Sequence, residues 1–380
     1  MKYYIWLQLC LGQGNPRGVK ALEFYKNAET VYNLSSDDRA KSRIFTKKDL
    51  NMLSSVKLSD AEEILNLCKK ENIKVINYNS SDFPQCLKNI DNPPIVLYVK
   101  GELPQFDKLP SICIVGPRKV SDYGKRAAYS LSFRLAAAGF IVVSGGAVGT
   151  DTYVHAGALK AKGITALCLG CGILSDYLPQ NQKLRETVEK CGCLISEYPP
   201  NTNASRYTFP VRNRIMSALT FGTVVIEAPA KSGALITAHH ANDQGRDVFV
   251  VPGSPNLKEY IGSNALLRDG AKPLLDVSDI FNEYLPRFSD KINIENAYKN
   301  PIIDETQVKT KENIENIEKK LPETLSIIAK IVYNSLDKQK FYPEDIVVDN
   351  INSQQILSAL TELEMEFLIK AVPGGMYEKI

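Results

Sequence analysis

The sequence predicts an α/β protein built on a doubly wound, mostly parallel sheet, with a small helical domain before it and a winged-helix-like domain after it. Three observations carry this. Short apolar runs too brief for helices alternate with helical spacing from 111 to about 283. Those runs end in glycine-rich turns, as strands entering helices do. The first 75 and last 60 residues lack that alternation.

Residues 1–75 read as helical. Asn15-Pro16 predicts a helix start running to Tyr25, because proline is tolerated in a first turn. A second helical pattern runs from Ser59 to Lys70, with acidic residues in its first turn. Residues 73–101 form a connector with candidate strands Ile73–Tyr78 and Ile95–Val99.

The stretch from Ser111 to Asp151 organises the chain. Ile112–Val115 predicts a buried strand ending at Gly116-Pro117-Arg118. Apolar residues at 127, 131, 135 and 138 predict a helix over 121–138, stopped by Gly139. Ile141–Val143 predicts a second strand, entering Ser144-Gly145-Gly146-Ala147-Val148-Gly149. Glycine lets backbone N–H groups approach a phosphate, and the helix start that follows favours an anion. Asp151 is expected to cap that helix, with His155 packed on the same face.

The alternation continues. Strands are expected at Ile164–Leu169, Cys193–Ile195, Thr223–Ile226, Asp247–Val251 and Pro273–Asp276. Helices are expected at Pro179–Lys190, Arg212–Leu219, Gly233–Gln244 and Asn264–Arg268. Residues 285–320 are polar and read as a linker, partly helical or disordered. Beyond it, helices at Thr324–Tyr333 and Ser353–Leu363, a short element at Glu344–Val348, and a hairpin from Phe367 to Tyr377 make the winged-helix pattern. Only Lys370 and Lys379 lie near the wing, which argues against groove reading. The expected domains are therefore 1–75 (small helical), 76–285 (the sheet domain), 286–320 (linker) and 321–380 (winged-helix-like).

Composition excludes several classes. The net charge of +3 announces no polyelectrolyte partner, although residues 111–280 hold 18 Lys and Arg against 13 Asp and Glu. The eight cysteines form no dense framework, and Cys168-x-x-Cys171 with Cys191-x-Cys193 lacks zinc-site spacing and a nearby histidine. No signal peptide or membrane-length apolar run is visible, so a cytoplasmic protein with reduced thiols is expected. No metal, cofactor or catalytic residue is expected.

The chemistry concentrates in Ser205-Arg206-Tyr207-Thr208-Phe209-Pro210-Val211-Arg212-Asn213-Arg214. Three arginines suit phosphates, and two aromatic faces suit unpaired bases. Lys231-Ser232-Gly233 opens another helix and offers a further anion position. Several such loops at one sheet edge suit consecutive phosphates better than a single one. A P-loop is absent, and no acidic residue stands where a dinucleotide ribose needs one.

These residues resemble a known family, DNA-processing protein A (DprA, also called Smf). The resemblance runs through Ser144-Gly145…Gly149-x-Asp151, Gly170-Cys171-Gly172, Tyr177-x-Pro179-x-Asn181, Ser196-Glu197-Tyr198-Pro199, Phe209-Pro210-x-Arg212-Asn213-Arg214, Glu227-Ala228, Ser232-Gly233-Ala234-Leu235-Ile236-Thr237-Ala238 and Val251-Pro252-Gly253. It implies an extended Rossmann domain that binds single-stranded DNA and dimerises, a SAM- or helix-hairpin-helix-like N-terminal domain, and a non-enzymatic protein that protects incoming DNA and loads RecA during natural transformation. By motif position it implies DNA contacts from Gly116, Arg118, Ser144, Gly145, Phe209, Arg212, Asn213, Arg214, Lys231, Ser232 and Gly233. The sequence departs from the family at Pro117, Val148, Val211 and Ile261, where a hydroxyl and up to three basic side chains are usual. Weaker or more selective binding is expected from that. The alternative is a nucleoside-monophosphate phosphoribohydrolase-like enzyme, whose glycine turn Gly145–Thr150 resembles. However, Tyr153-Val154 stands where that enzyme's catalytic glutamate belongs.

Overall fold

In the computed structural model the described residues are 1–299, 325–336, 340–346, 348, 351–365, 368–372 and 376–379. They fall into two compact units, which divide the chain near 302.

The first unit opens with α1 (Lys2–Leu11), α2 (Pro16–Tyr25), α3 (Ala28–Asn33), α4 (Ser36–Lys41), α5 (Lys47–Ser55) and α6 (Leu58–Lys70). Their starts are written locally. Asn15, Asn27, Ser35 and Thr46 each accept a backbone N–H in the first turn of the helix they precede. β1 (Lys74–Asn77) and β2 (Val96–Gly101) follow. The alternating region then gives β3 (Ser111–Val115), α7 (Asp122–Ala137), β4 (Ile141–Ser144), α8 (Thr150–Lys160), β5 (Thr165–Leu169), α9 (Gln182–Cys191), β6 (Cys193–Ser196), α10 (Thr208–Ala218), β7 (Gly222–Val225), α11 (Gly233–Asp243), β8 (Asp247–Val250), α12 (Ile261–Arg268), β9 (Lys272–Pro273), α13 (Ser278–Phe288) and α14 (Ile294–Lys299).

Among the described residues these nine strands form one sheet in the order β1-β2-β6-β5-β4-β3-β7-β8-β9. From β6 to β9 every pairing is parallel; β2 joins β6, and β1 joins β2, antiparallel. The chain winds outward from β3 in one direction through β4, β5 and β6. It then crosses back and winds the other way through β7, β8 and β9. The switch point thus lies between β3 and β7, where open sheets leave a crevice at the strand ends.

Strand periodicity splits the core. Ile112, Ile114, Val142 and Val224 pack against α7, α8 and α13. Cys113, Val115, Val143 and Ala166 face the opposite way, towards α10, α11 and the connector residues Phe83, Leu87 and Phe106. The N-terminal helices share a third cluster with Tyr98, Leu167 and Leu169 of the sheet. Gln8 ties them in by donating to the Val96 and Glu197 carbonyls while accepting from the Tyr98 hydroxyl.

Three expectations need correction. Residues 286–299 were expected to begin a polar linker, yet α13 runs through Pro286, and Phe288, Ile292 and Ala297 are buried in the α7 cluster. The rest of that linker, 300–320, lies outside the described residues. The last strand is Lys272–Pro273, not 273–276, because Asp276 and Asp279 turn the chain into α13 by accepting backbone N–H groups. Asp151 is not the cap of α8: Gly149 holds that position, and the Asp151 carboxylate accepts instead from the Ala147 N–H at 3.1 Å.

The second unit contains α15 (Ile327–Asn334), β10 (Lys340–Phe341), α16 (Ser353–Met365), β11 (Ile369–Val372) and β12 (Met376–Lys379). The strands form an antiparallel sheet ordered β10-β12-β11, and Ala329, Val332, Ile356, Leu360 and Leu363 fill its core. Thr324, Val347, Phe367, Gly374 and Gly375, on which part of the winged-helix reading falls, lie outside the described residues. Among the described residues no helix is long and apolar enough to cross a membrane.

Candidate nucleic-acid interface

The carboxyl ends of β3, β4 and β5 and the first turns of α10 converge on one aromatic ring. α10 starts earlier than its sequence suggests. Thr208 exchanges hydrogen bonds with Ser205, and Pro210 falls in the first turn, where its missing N–H is not needed. The helix therefore includes Phe209, Arg212, Asn213 and Arg214, which were expected at a loop and helix start.

Phe209 is the half-buried centre. The Arg118 guanidinium lies 5.3 Å from its ring centroid and that of Arg212 5.9 Å, both within cation–π range. The Tyr177 ring is 5.1 Å away. Gly170, at the end of β5, lies against the ring: a Cβ there would stand 2.7 Å from Phe209 Cδ1. A side chain at 170 would displace the ring.

Arg212 fastens α10 to the strand ends. Its Nη1 donates to the Gly145 carbonyl at 2.9 Å and to the Cys168 carbonyl, and its Nε donates to Asn213 Oδ1 at 3.2 Å. Asn213 Nδ2 in turn reaches the Gly233 carbonyl at 3.4 Å. The second loop, α10 and the Lys231-Ser232-Gly233 loop are thus joined. Ser232 caps α11, accepting from the Ala234 N–H at 3.3 Å. Lys231 and Arg118 are exposed and carry the accessible positive charge among the expected residues.

Beneath the loops lies a buried polar layer. Burial raises the Asp151 pKa above the usual carboxylate range, with Arg212 opposing. His155 is fully buried and its pKa is lowered to about 3 by burial. The Thr165 hydroxyl donates to the Val142 carbonyl, so it accepts from His155 Nδ1, which fixes that nitrogen as the protonated one. Gly116 abuts the Thr150 side chain, whose hydroxyl donates to the Pro117 carbonyl at 3.1 Å. Asn181 links the 177–181 segment to the second loop by donating to the Gly146 carbonyl at 3.1 Å.

Two expected contacts face away from this surface. Ser144 is buried, and its hydroxyl donates to the Ile114 carbonyl at 2.8 Å. Arg214 is buried on the far side of α10, where Nη2 meets both oxygens of Glu197 at 2.8 Å. Glu197 also accepts the Gly14 N–H at 3.0 Å, so this arginine joins the N-terminal helices to α10. Its charge is neutralised inside the protein.

Sequence reasoning left out Tyr177 from the site, although its spacing to Asn181 signals a shaped turn. Arg206 and Tyr207, which the sequence placed in the basic segment but not among the implied DNA contacts, form an exposed pair on the lip: the guanidinium sits 4.7 Å from the ring of a tyrosine that is 68% exposed. Glu227 was seen only as a strand end. It is fully buried and accepts from the Ser121 N–H at 3.1 Å, the Ser121 hydroxyl and the Tyr260 hydroxyl at 2.9 Å. Burial raises the Tyr260 pKa to about 12, so its hydroxyl remains a donor. Among the described residues no three metal-ligating side chains gather.

Fold and site together define an extended Rossmann-type protein whose strand-end loops present arginine, lysine and an aromatic ring. The family model for DNA recombination-mediator protein A matches residues 74–285. The chain is 32% identical over 323 residues to protein Smf of Synechocystis sp., covering 82% of this chain and 81% of that one. It is 39% identical over 220 residues to DNA processing protein DprA of Bacillus subtilis, covering 58% and 74%. The solved DprA of Streptococcus pneumoniae superimposes with a TM-score of 0.66 at 27% identity, covering 74% of this chain and 98% of that one. The chain belongs to the DNA recombination-mediator protein A family, the DprA/Smf proteins of DNA processing in recombination. A DprA from Helicobacter pylori, whose structure is described as showing a single-stranded DNA binding mode, matches with a TM-score of 0.51 at 27% identity, covering 56% and 96%.

Proposed function

We propose that this protein binds single-stranded DNA across the ends of β3, β4 and β5 and delivers it to the RecA recombinase. The carrying observation is Phe209: one half-exposed ring flanked by an exposed arginine, beside glycine-rich loops, offers a base a stacking face and its phosphates a cation. Duplex DNA keeps its bases stacked on one another and has none to offer this ring. The Helicobacter pylori relative, described as binding single-stranded DNA, supports the same ligand here.

In this reading Arg118 and Lys231 contact phosphates, Phe209 stacks, and Gly116, Gly145 and Gly233 let backbone approach the strand. Arg212 and Asn213 hold the loops in register. Ser144 shapes its loop from beneath, and Arg214 and Glu197 set the position of α10. Binding, not catalysis, is the activity. A homodimer through the Rossmann unit, a cytoplasmic location and a winged-helix-like contact module at 321–380 complete the proposal.

RecA filament formation on oligo-dT coated with single-strand-binding protein tests it. Faster nucleation with this protein than without it is expected. Binding to oligo-dT with no acceleration would remove RecA loading and leave DNA binding. No binding would remove both.

A further inference from the structure

The switch point between β3 and β7 is where open α/β sheets seat a nucleotide, with its phosphate on the N-terminus of the first helix. Here that helix is α7, and Glu227 has taken the position. The side chain leaves the end of β7, crosses the crevice, and places its carboxylate on the Ser121 N–H and hydroxyl. Ser121 is the cap of α7. Gly124, in the first turn, leaves no room for a Cβ against Glu227 Oε1. Tyr260 closes the crevice from the other side and donates to the same oxygen. Among the described residues no lysine, arginine or histidine pairs with this carboxylate; its partners are the helix start and two hydroxyls. The helix start favours a negative charge there.

We infer that Glu227 is a specificity-determining residue: its carboxylate stands in for a nucleotide phosphate at α7, so that free mono- and dinucleotides are refused and the ligand lies instead beside Phe209, across the ends of β3, β4 and β5. That ligand is the DNA strand of the reading above, and only that part rests on it. Phe209, Arg212 and Tyr177 all lie on the β4–β5 side. The fold keeps a nucleotide-binding topology while its nucleotide seat is occupied by its own chain.

The test follows the Ser121 and Gly124 amide resonances during titration with inorganic phosphate, in the wild-type protein and in Glu227→Ala. The wild type is expected to show no saturable shift. Glu227→Ala is expected to show one, with phosphate affinity raised at least about tenfold, because the helix start loses its resident anion. A saturable shift in the wild type overturns the inference, since the position would then be open. So does a folded Glu227→Ala that ignores phosphate, since the position would then not select anions. Should Glu227→Ala not fold, Glu227→Ser vacates the same position with a short polar side chain, and the same two outcomes decide. Oligo-dT affinity is read separately. Loss of oligo-dT binding by the wild type bears on the DNA reading and not on Glu227.

Discussion

Two arginines expected at the interface should fail in opposite ways when truncated. Arg214→Ala removes one half of a bidentate pair whose side chains are 7% and 3% exposed. Glu197 then keeps only the Gly14 N–H. Breaking a buried pair from one side costs about 3–5 kcal/mol, because the remaining carboxylate stays buried and unpaired. Against a total of roughly 5–15 kcal/mol this is a large fraction. With about 2 °C per kcal/mol for a unit of this size, the melting temperature should fall by roughly 6–10 °C. Arg118→Ala, by contrast, removes an exposed side chain and should change stability by no more than about 0.5 kcal/mol. It should flatten the salt dependence of oligo-dT binding by about 0.7 in logarithmic slope. Thermal melts and fluorescence anisotropy on both variants check this. Adding Glu197→Gln to Arg214→Ala should recover part of the lost stability, since the orphaned charge goes with it. An Arg214→Ala protein that melts like wild type yet loses DNA binding would refute the reasoning.

Three further outcomes follow from the geometry. Phe209→Ala should weaken oligo-dT binding by about 1–3 kcal/mol with little change in salt slope, because stacking releases no counterions. Gly170→Ala should act the same way from outside the contact surface, since its methyl group displaces the Phe209 ring; unchanged affinity would show that the ring's place is immaterial. His155, with its pKa lowered to about 3, binds its proton less readily folded than unfolded, so its stabilising contribution is complete above about pH 6.5 and lost as pH falls towards 3. Between pH 6.5 and 5 the loss should approach about 2 kcal/mol at about 1.4 per pH unit. His155→Asn, which keeps a donor for Thr165, should remove that part of the slope in urea unfolding.

Much of the sheet was legible because strand runs and glycine turns are local signals. Ile112–Val115, Ile141–Val143 and Cys193–Ile195 lie inside the strands they predicted. The start of α10 was missed because its cap is not a capping side chain; Thr208 and Ser205 make the turn together, and Pro210 resembles a break when it is a first-turn residue. The polar composition after 285 hid a second helix: α13 runs through Pro286 and delivers Phe288 to the core. Roles of charged residues were the least legible. Arg212 and Arg214 sit two positions apart on one helix, and only the positions of Gly145, Cys168 and Glu197, fixed by other strands, decide that one holds the loops and the other is a buried ion pair. Glu227 looks like any strand-end acid until Ser121, more than a hundred residues earlier, comes to lie against it. The resemblance implies DNA contacts for Arg212 and Arg214 alike, and it does not separate exposed side chains from those that hold the loops.

The most direct measurement is fluorescence anisotropy of labelled oligo-dT against a duplex of equal length, with wild type, Arg118→Ala and Phe209→Ala at two salt concentrations. The account predicts salt-sensitive binding to the single strand in preference to the duplex. It further predicts that Arg118→Ala lowers both affinity and salt slope, while Phe209→Ala lowers affinity alone. Equal affinity for duplex and single strand, or a Phe209→Ala protein that binds oligo-dT as the wild type does, would contradict it.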